Sequence, residues 1–513
     1  MSNLHVAPSN SKMISKPFRR IALWSALLLL IAFVGRLDLR AAVPQPTRQP
    51  IRQVVDLSLG ETSELTLANG AKATVRLVNV AVERDTLRGA VRSARVRVEV
   101  NGTPATLPCA NYTLPTTVAG VQIDCTVVKA YLANSGAESW ALAKDARLRI
   151  WPAGSPLMEP GTFAYPVKQV WFATGTQQAN EPTFVDGGED PNRKRIYYHN
   201  DLDFGGCEGL TEVVAATDGV VVVAGREILP GYEGTPAKAR YDGVFVLDER
   251  GWFHWYLHLQ SIDSAIKPGA KVTRGQAIGV LGKEGDSGGW SHLHYGIFAR
   301  QPSGGWGTEE AYAYAWEAYR TEHRPAILAV ARPHHFVKVG ERVVLDGSKS
   351  LALDGGPVRH EWTFSDGTKA SGPTMERRYE KPGEYSEVLQ VTDSRGRRAY
   401  DFAVVLVVDP ASGKLPPAIH PTYWPSLGIK PNAPVTFKVR TFGTKHGEET
   451  WDFGDGSPRS TTRSDGGVKE MAPDGYAMTT HRFARPGTYV VTVERSNEAG
   501  EKAIGHLAVT VAE

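Results

Sequence analysis

The chain has 513 residues, which at roughly 150 residues per domain predicts about three or four domains. Hydrophobic residues make up 42% of it and charged residues 22%, a balance that fills buried cores and excludes a disordered chain. A net charge of +3 without any polybasic run excludes a nucleic-acid protein held by a general charge field, and 52 Gly with 33 Pro fit a turn-rich, mainly β protein.

The first element is apolar. Ile21 to Gly35 reads IALWSALLLLIAFVG, behind Lys12, Lys16, Arg19 and Arg20. A positive flank followed by about 15 apolar residues predicts a secretory signal peptide rather than a membrane span of about 20. The cleavage region is poor, because Arg40 precedes the small Ala41 and Ala42. Residues 1–43 are therefore expected to be a signal peptide or an uncleaved anchor, the only route to a membrane. The protein is expected to be exported, whether periplasmic, in the cell envelope or secreted.

Within residues 44–158, the stretch 50–150 alternates apolar and polar side chains. Thr74 to Val78 and Ala94 to Val100 have the period of strands, and Asn101-Gly102 after the second predicts a hairpin turn. This stretch reads as a β-sandwich of unknown role that carries no chemistry. Cys109 and Cys125 flank 15 residues in it and are expected to pair in an exported protein. Cys207 is left over.

Chemistry gathers in residues 159–324. His292-Leu293-His294 puts two imidazoles on one face of a strand, with Leu293, Tyr295 and Ile297 on the other. Phe253 to Leu259 alternates too. There His254, Tyr256 and His258 share one face, and Phe253, Trp255, Leu257 and Leu259 form an apolar back. Two such strands can line one groove. His199 and Asp203, at i and i+4, add a third piece. Two histidines and one carboxylate make a catalytic zinc set with a fourth position open, whereas a structural site closes with four ligands, commonly cysteines. A helix ends the region, with Thr308 as N-cap, Glu309 and Glu310 in its first turn, then AYAYAWEAY. Tyr312, Trp316 and Tyr319 share one face of it and are expected to pack.

On these residues the segment resembles a lysostaphin-type (LytM-like) zinc endopeptidase. That family carries His-x-Gly-x-Asp, a strand ending Tyr-x-His-Leu, and His-Leu-His. Here the pattern reads His199-Asn200-Asp201-Leu202-Asp203, Tyr256-Leu257-His258-Leu259 and His292-Leu293-His294. The resemblance implies an antiparallel-sheet peptidase domain over 159–324, with Zn2+ on His199, Asp203 and His294. It implies His258 and His292 as the catalytic histidines, either of them the general base. Asp201 departs from the pattern by replacing Gly, and Cys207 is read as a small buried residue rather than a fourth ligand. Because the family cuts peptidoglycan, the implied function is an exported zinc metalloendopeptidase, a hydrolase of peptidoglycan stem peptides or cross-bridges. Two other readings are a secreted zinc peptidase for a non-wall protein and a non-catalytic LytM-like envelope scaffold. The scaffold is disfavoured because all five key positions are present.

The last part repeats itself. Trp362-Thr363-Phe364-Ser365-Asp366-Gly367 and Lys381-Pro382-Gly383-Glu384-Tyr385 recur as Trp451-Asp452-Phe453-Gly454-Asp455-Gly456 and Arg485-Pro486-Gly487-Thr488-Tyr489. Each copy resembles a PKD domain, which implies Ig-type β-sandwiches over 325–410 and 411–513. The resemblance implies accessory modules, spacers or binders of polysaccharide or protein. Asp452 and Asp455 read as turn formers. The fold class expected is mainly β: an N-terminal β-sandwich, an antiparallel-sheet LytM-like peptidase domain, and two PKD-like sandwiches.

Overall fold

The computed structural model describes residues 43–110, 112–134, 138–174, 196 and 198–513. The apolar stretch Ile21 to Gly35 lies outside them, and among the described residues no helix is long and apolar enough to cross a membrane.

The protein is mainly β. Its N-terminal sandwich faces the antiparallel strands Thr62–Thr66, Lys72–Arg84, Val91–Val100 and Thr103–Ala110 against a second sheet ordered Gln53–Leu57, Ala146–Pro152, Val121–Val128, Thr116–Val118. Alternation places Val75, Leu77, Val96, Val98 and Leu107 inward against Ile123, Val127, Leu148 and Ile150. Asn101 and Gly102 both take positive φ, 47° and 78°, as a tight hairpin turn requires. The expected disulfide is not formed. Cys109 and Cys125 are buried free thiols on the two facing sheets, and the Cys125 thiol donates to the Val127 carbonyl at 3.7 Å.

A buried ion-pair network fastens this sandwich to the next region. Arg149 reaches Asp124 at 2.6 Å on its own sandwich, and Glu309 at 3.3 Å and Glu310 at 2.8 Å beyond it; Arg52 bonds Glu309 at 2.8 Å. These pairs correct the expected helix start. Thr308 and Glu309 belong to the strand Trp306–Glu309, and the helix runs Tyr312–His323 with Ala311 as its cap. Glu309 is drawn to the buried arginines instead of a helix dipole. Tyr312, Trp316 and Tyr319 do pack, with Trp171 5.8, 5.2 and 5.3 Å from them, centroid to centroid.

The central sheet is antiparallel, ordered Glu227–Ile228, Gly219–Ala224, Val244–Leu247, Phe253–Leu257, His292–Arg300, Trp306–Glu309. Leu202–Gly205 joins the first half of His292–Arg300 on the edge whose second half is taken by Trp306–Glu309. Leu293, Tyr295 and Ile297 point into the main core together with Tyr256.

The two C-terminal repeats each bury their Trp, Trp362 and Trp451, in a separate core. They are continuous through one sheet, because Gly383–Asp393 pairs in parallel with Lys502–Val511, Glu384 opposite Ala503. Asp452 and Asp455 accept backbone N–H bonds two residues on, from Gly454 and Ser457 at 3.0 Å each, as turn formers do.

Candidate active site

Register brings the site residues together. Asp203 lies opposite His294 across one edge of the central strand, and Leu257 lies opposite His294 across the other. His294 Nδ1 is 2.9 Å from Asp203 Oδ1, and His199 Nε2 is 3.5 Å from Asp203 Oδ2. One donor atom from each of His199, Asp203 and His294 falls within 4.8 Å of the other two.

Their electrostatics suit a cation. Burial pushes the His199 imidazole down to about 3, so it is neutral with a lone pair to give. Burial works against the Asp203 carboxylate, yet the surrounding His199, His292 and His294 rings hold it well below the usual carboxylate range. Burial also disfavours charged His294, but Asp201 and Asp203, bonded to its ring, raise it to about 9. A metal ion held by His199, Asp203 and His294 would displace the proton that His294 carries. Two imidazoles and one ionised carboxylate fit zinc.

Two more imidazoles flank the triad. The His258 and His292 ring centroids are 4.7 Å apart, and His258 is 5.8 Å from His294. His258 Nδ1–H donates to the Glu284 carbonyl at 2.6 Å, and His292 Nδ1–H donates to that of Trp290 at 3.0 Å. A carbonyl only accepts, so each bond fixes the proton on Nδ1 and leaves Nε2 as the acceptor. His292 Nε2 stands 3.6 Å from Asp203 Oδ1, towards the triad. Burial lowers His292 to about 4.

The route by which His258 arrives differs from the alternation expected. His254 and Tyr256 do not line the groove. His254 is fully buried between Tyr295 Oη at 2.8 Å and Asp248 at 3.3 Å, and Tyr256 is in the core. The supposed apolar back lies on the site's side, where Trp255 meets the His294 ring at 5.3 Å. The strand ends at Leu257, and His258 takes φ +67°, which breaks the period and turns its ring towards His292. Asp242 fixes it there. Its Oδ2 accepts the His258 N–H at 3.2 Å and lies 3.4 Å from Nδ1. No spacing linked Asp242 to this role; only the pairing of Val244–Leu247 with Phe253–Leu257 brings it near.

The loop 283–291 carries both carbonyls that orient these histidines, and the second C-terminal repeat grips it. Trp290 stacks on Phe442 at 4.0 Å, Arg440 donates to the Gly289 carbonyl at 2.8 Å, and the Ser291 N–H donates to Tyr476 Oη at 2.8 Å. Cys207 also faces this repeat, close to Thr422, and burial pushes its thiol up to about 11. It is a buried packing residue, outside the triad.

The sheet and its imidazole cluster define a peptidase-type domain. Residues 197–304 match peptidase family M23, and residues 322–407 and 422–506 each match the PKD domain. The chain thus carries an M23 domain of the LytM type followed by two PKD domains. It is 37% identical over 123 residues, 23% of this chain and 25% of the relative, to the peptidoglycan DD-endopeptidase ShyA of Vibrio cholerae. It is 38% identical over 68 residues, 13% of this chain and 6% of the relative, to the collagenase ColA of Clostridium perfringens. The chain therefore spans a quarter or less of the length of either. A solved structure of Csd3 from Helicobacter pylori aligns over 48% of this chain and 82% of that one, at 15% identity and a TM-score of 0.19.

Proposed function

We propose that this protein is an exported zinc endopeptidase that hydrolyses peptide bonds of bacterial peptidoglycan. One observation carries the reading: a two-histidine, one-carboxylate triad beside two imidazoles whose Nε2 atoms are left as acceptors by carbonyl bonds at Nδ1. The M23 match and the named activity of the Vibrio relative support the reaction and substrate class. The apolar N-terminal stretch supports export.

His199, Asp203 and His294 would hold the metal. Bound there, zinc supplies a Lewis acid that polarises the scissile carbonyl and makes water acidic enough to attack near neutral pH. The chain's own groups handle the proton. His258 receives it at Nε2, and Asp242 behind its Nδ1 stabilises the imidazolium that results. His292 has no carboxylate at Nδ1, and burial keeps its ring neutral, so it orients as an acceptor. His258 then returns the proton to the leaving amine.

Metal removal tests this. Chelator-treated protein should release no stem-peptide fragments from purified peptidoglycan, and about one equivalent of Zn2+ should restore release. Full activity after complete zinc removal would refute the reading. Zinc-dependent cleavage of a protein substrate, with walls left intact, would move the substrate to a non-wall protein.

A further inference from the structure

Asp201 stands between two members of the triad in a conformation that an aspartate adopts at a cost. Its φ is +83°, in the left-handed region that is strained for a residue with a Cβ and open to glycine. Its side chain is nonetheless completely buried. The carboxylate has a built surrounding. Oδ1 accepts the Thr308 hydroxyl, and Oδ2 accepts an N–H of the Asn200 amide. His294 Nε2 lies 3.5 Å from Oδ2, on the far side of the ring from Nδ1 and Asp203.

Space for it is provided on the central strand. A Cβ on Gly296 would fall 2.3 Å from Asp201 Cγ and 1.6 Å from Trp255 Nε1, a buried indole nitrogen with no hydrogen-bond partner. Leu202–Gly205 and Trp306–Glu309 share one edge of that strand, and Asp201 sits where the two meet, close enough for Thr308 to reach it. Thr308, expected as a helix cap, is instead one of its hydrogen-bond donors.

We propose that Asp201 is a positioning residue for the metal ligand His294, accepting its Nε2–H so that Nδ1 presents a lone pair towards His199 and Asp203. A carboxylate behind a ligating imidazole fixes its tautomer and orientation and makes it more basic. The thermodynamic return is metal affinity, which offsets the backbone strain. This inference rests on the metal reading above and extends it to a residue outside the triad.

The test is zinc affinity, measured by competition with a chromophoric chelator on the full chain, with melting of the metal-free protein as the check on folding. Asp201→Gly, which suits the φ, should bind zinc about 10–100-fold more weakly while remaining folded. Asp201→Asn tolerates the same φ and keeps an acceptor for Nε2–H, so it should lie within about tenfold of wild type. A purely structural role would move the melting temperature and leave the affinity of the folded chain unchanged. Folded Asp201→Gly with wild-type affinity overturns the proposal, as does Asp201→Asn losing as much as Asp201→Gly. Wild type that takes up no zinc would overturn the metal reading itself.

Discussion

At φ +67°, His258 leaves the strand Phe253–Leu257 and turns its ring to His292, with Asp242 behind it. That carboxylate separates the two flanking histidines, since His258 has a carboxylate of its own behind Nδ1, whereas the anion nearest His292, Asp203 at 3.6 Å, belongs to the triad. We expect His258→Ala to lower kcat by about 10²–10⁴-fold without loss of bound zinc. Asp242→Asn should lower kcat by about tenfold with KM nearly unchanged, because it acts through His258. Steady-state kinetics with metal content measured on the same samples check both. A His258→Ala enzyme of near-normal kcat would give the base role to His292.

At the scale of elements, the segment to watch is the loop 283–291. It supplies the carbonyls of Glu284 and Trp290 that fix both tautomers, and it is held from outside by Trp290 on Phe442 and by Arg440 and Tyr476. Tyr476→Phe removes the acceptor of the buried Ser291 N–H and should cost about 1–3 kcal/mol locally. We expect kcat to fall several-fold with zinc affinity unchanged, which kinetics and chelator competition measure. Unaltered kcat would mean the loop holds its shape alone. Period and spacing made much legible beforehand: the His292-Leu293-His294 face, the Asn101-Gly102 turn, the two Trp-containing repeats. They misplaced Phe253 to His258, because alternation assumes a strand that continues, and one positive φ reverses the face. They gave Thr308 to a helix cap for a related reason. A capping sequence is local, whereas the pull of Asp201 on Thr308, and of Arg52 and Arg149 on Glu309, comes from residues about 100 to 260 positions away. Asp242 and the grip of the last repeat were invisible for the same cause.

Across the whole molecule, Val43–Glu513 forms one compact unit, and the C-terminal repeats are more than the accessory modules their motifs suggest. One continuous sheet joins them, and the second bears on the loop 283–291 that orients His258 and His292. Glu384 lies at their junction, where it accepts the Ile419 N–H at 3.1 Å, and burial raises its carboxyl to about 8. Folded protein therefore holds a proton that unfolded protein releases near 4.5. Its contribution to stability is fully present below that value and is lost as pH rises through about 8. Glu384→Gln should match wild type in melting temperature at about pH 5 and exceed it at about pH 9. Parallel melting curves for the two proteins across that range would contradict this assignment.

The most direct test of the zinc-peptidase reading is to digest purified peptidoglycan with the protein and identify the released fragments by mass spectrometry, beside Asp203→Ala. We expect new free amino termini at one class of peptide bond with wild type and none with the variant. Equal release by both would contradict the assignment of the reaction to the triad of His199, Asp203 and His294.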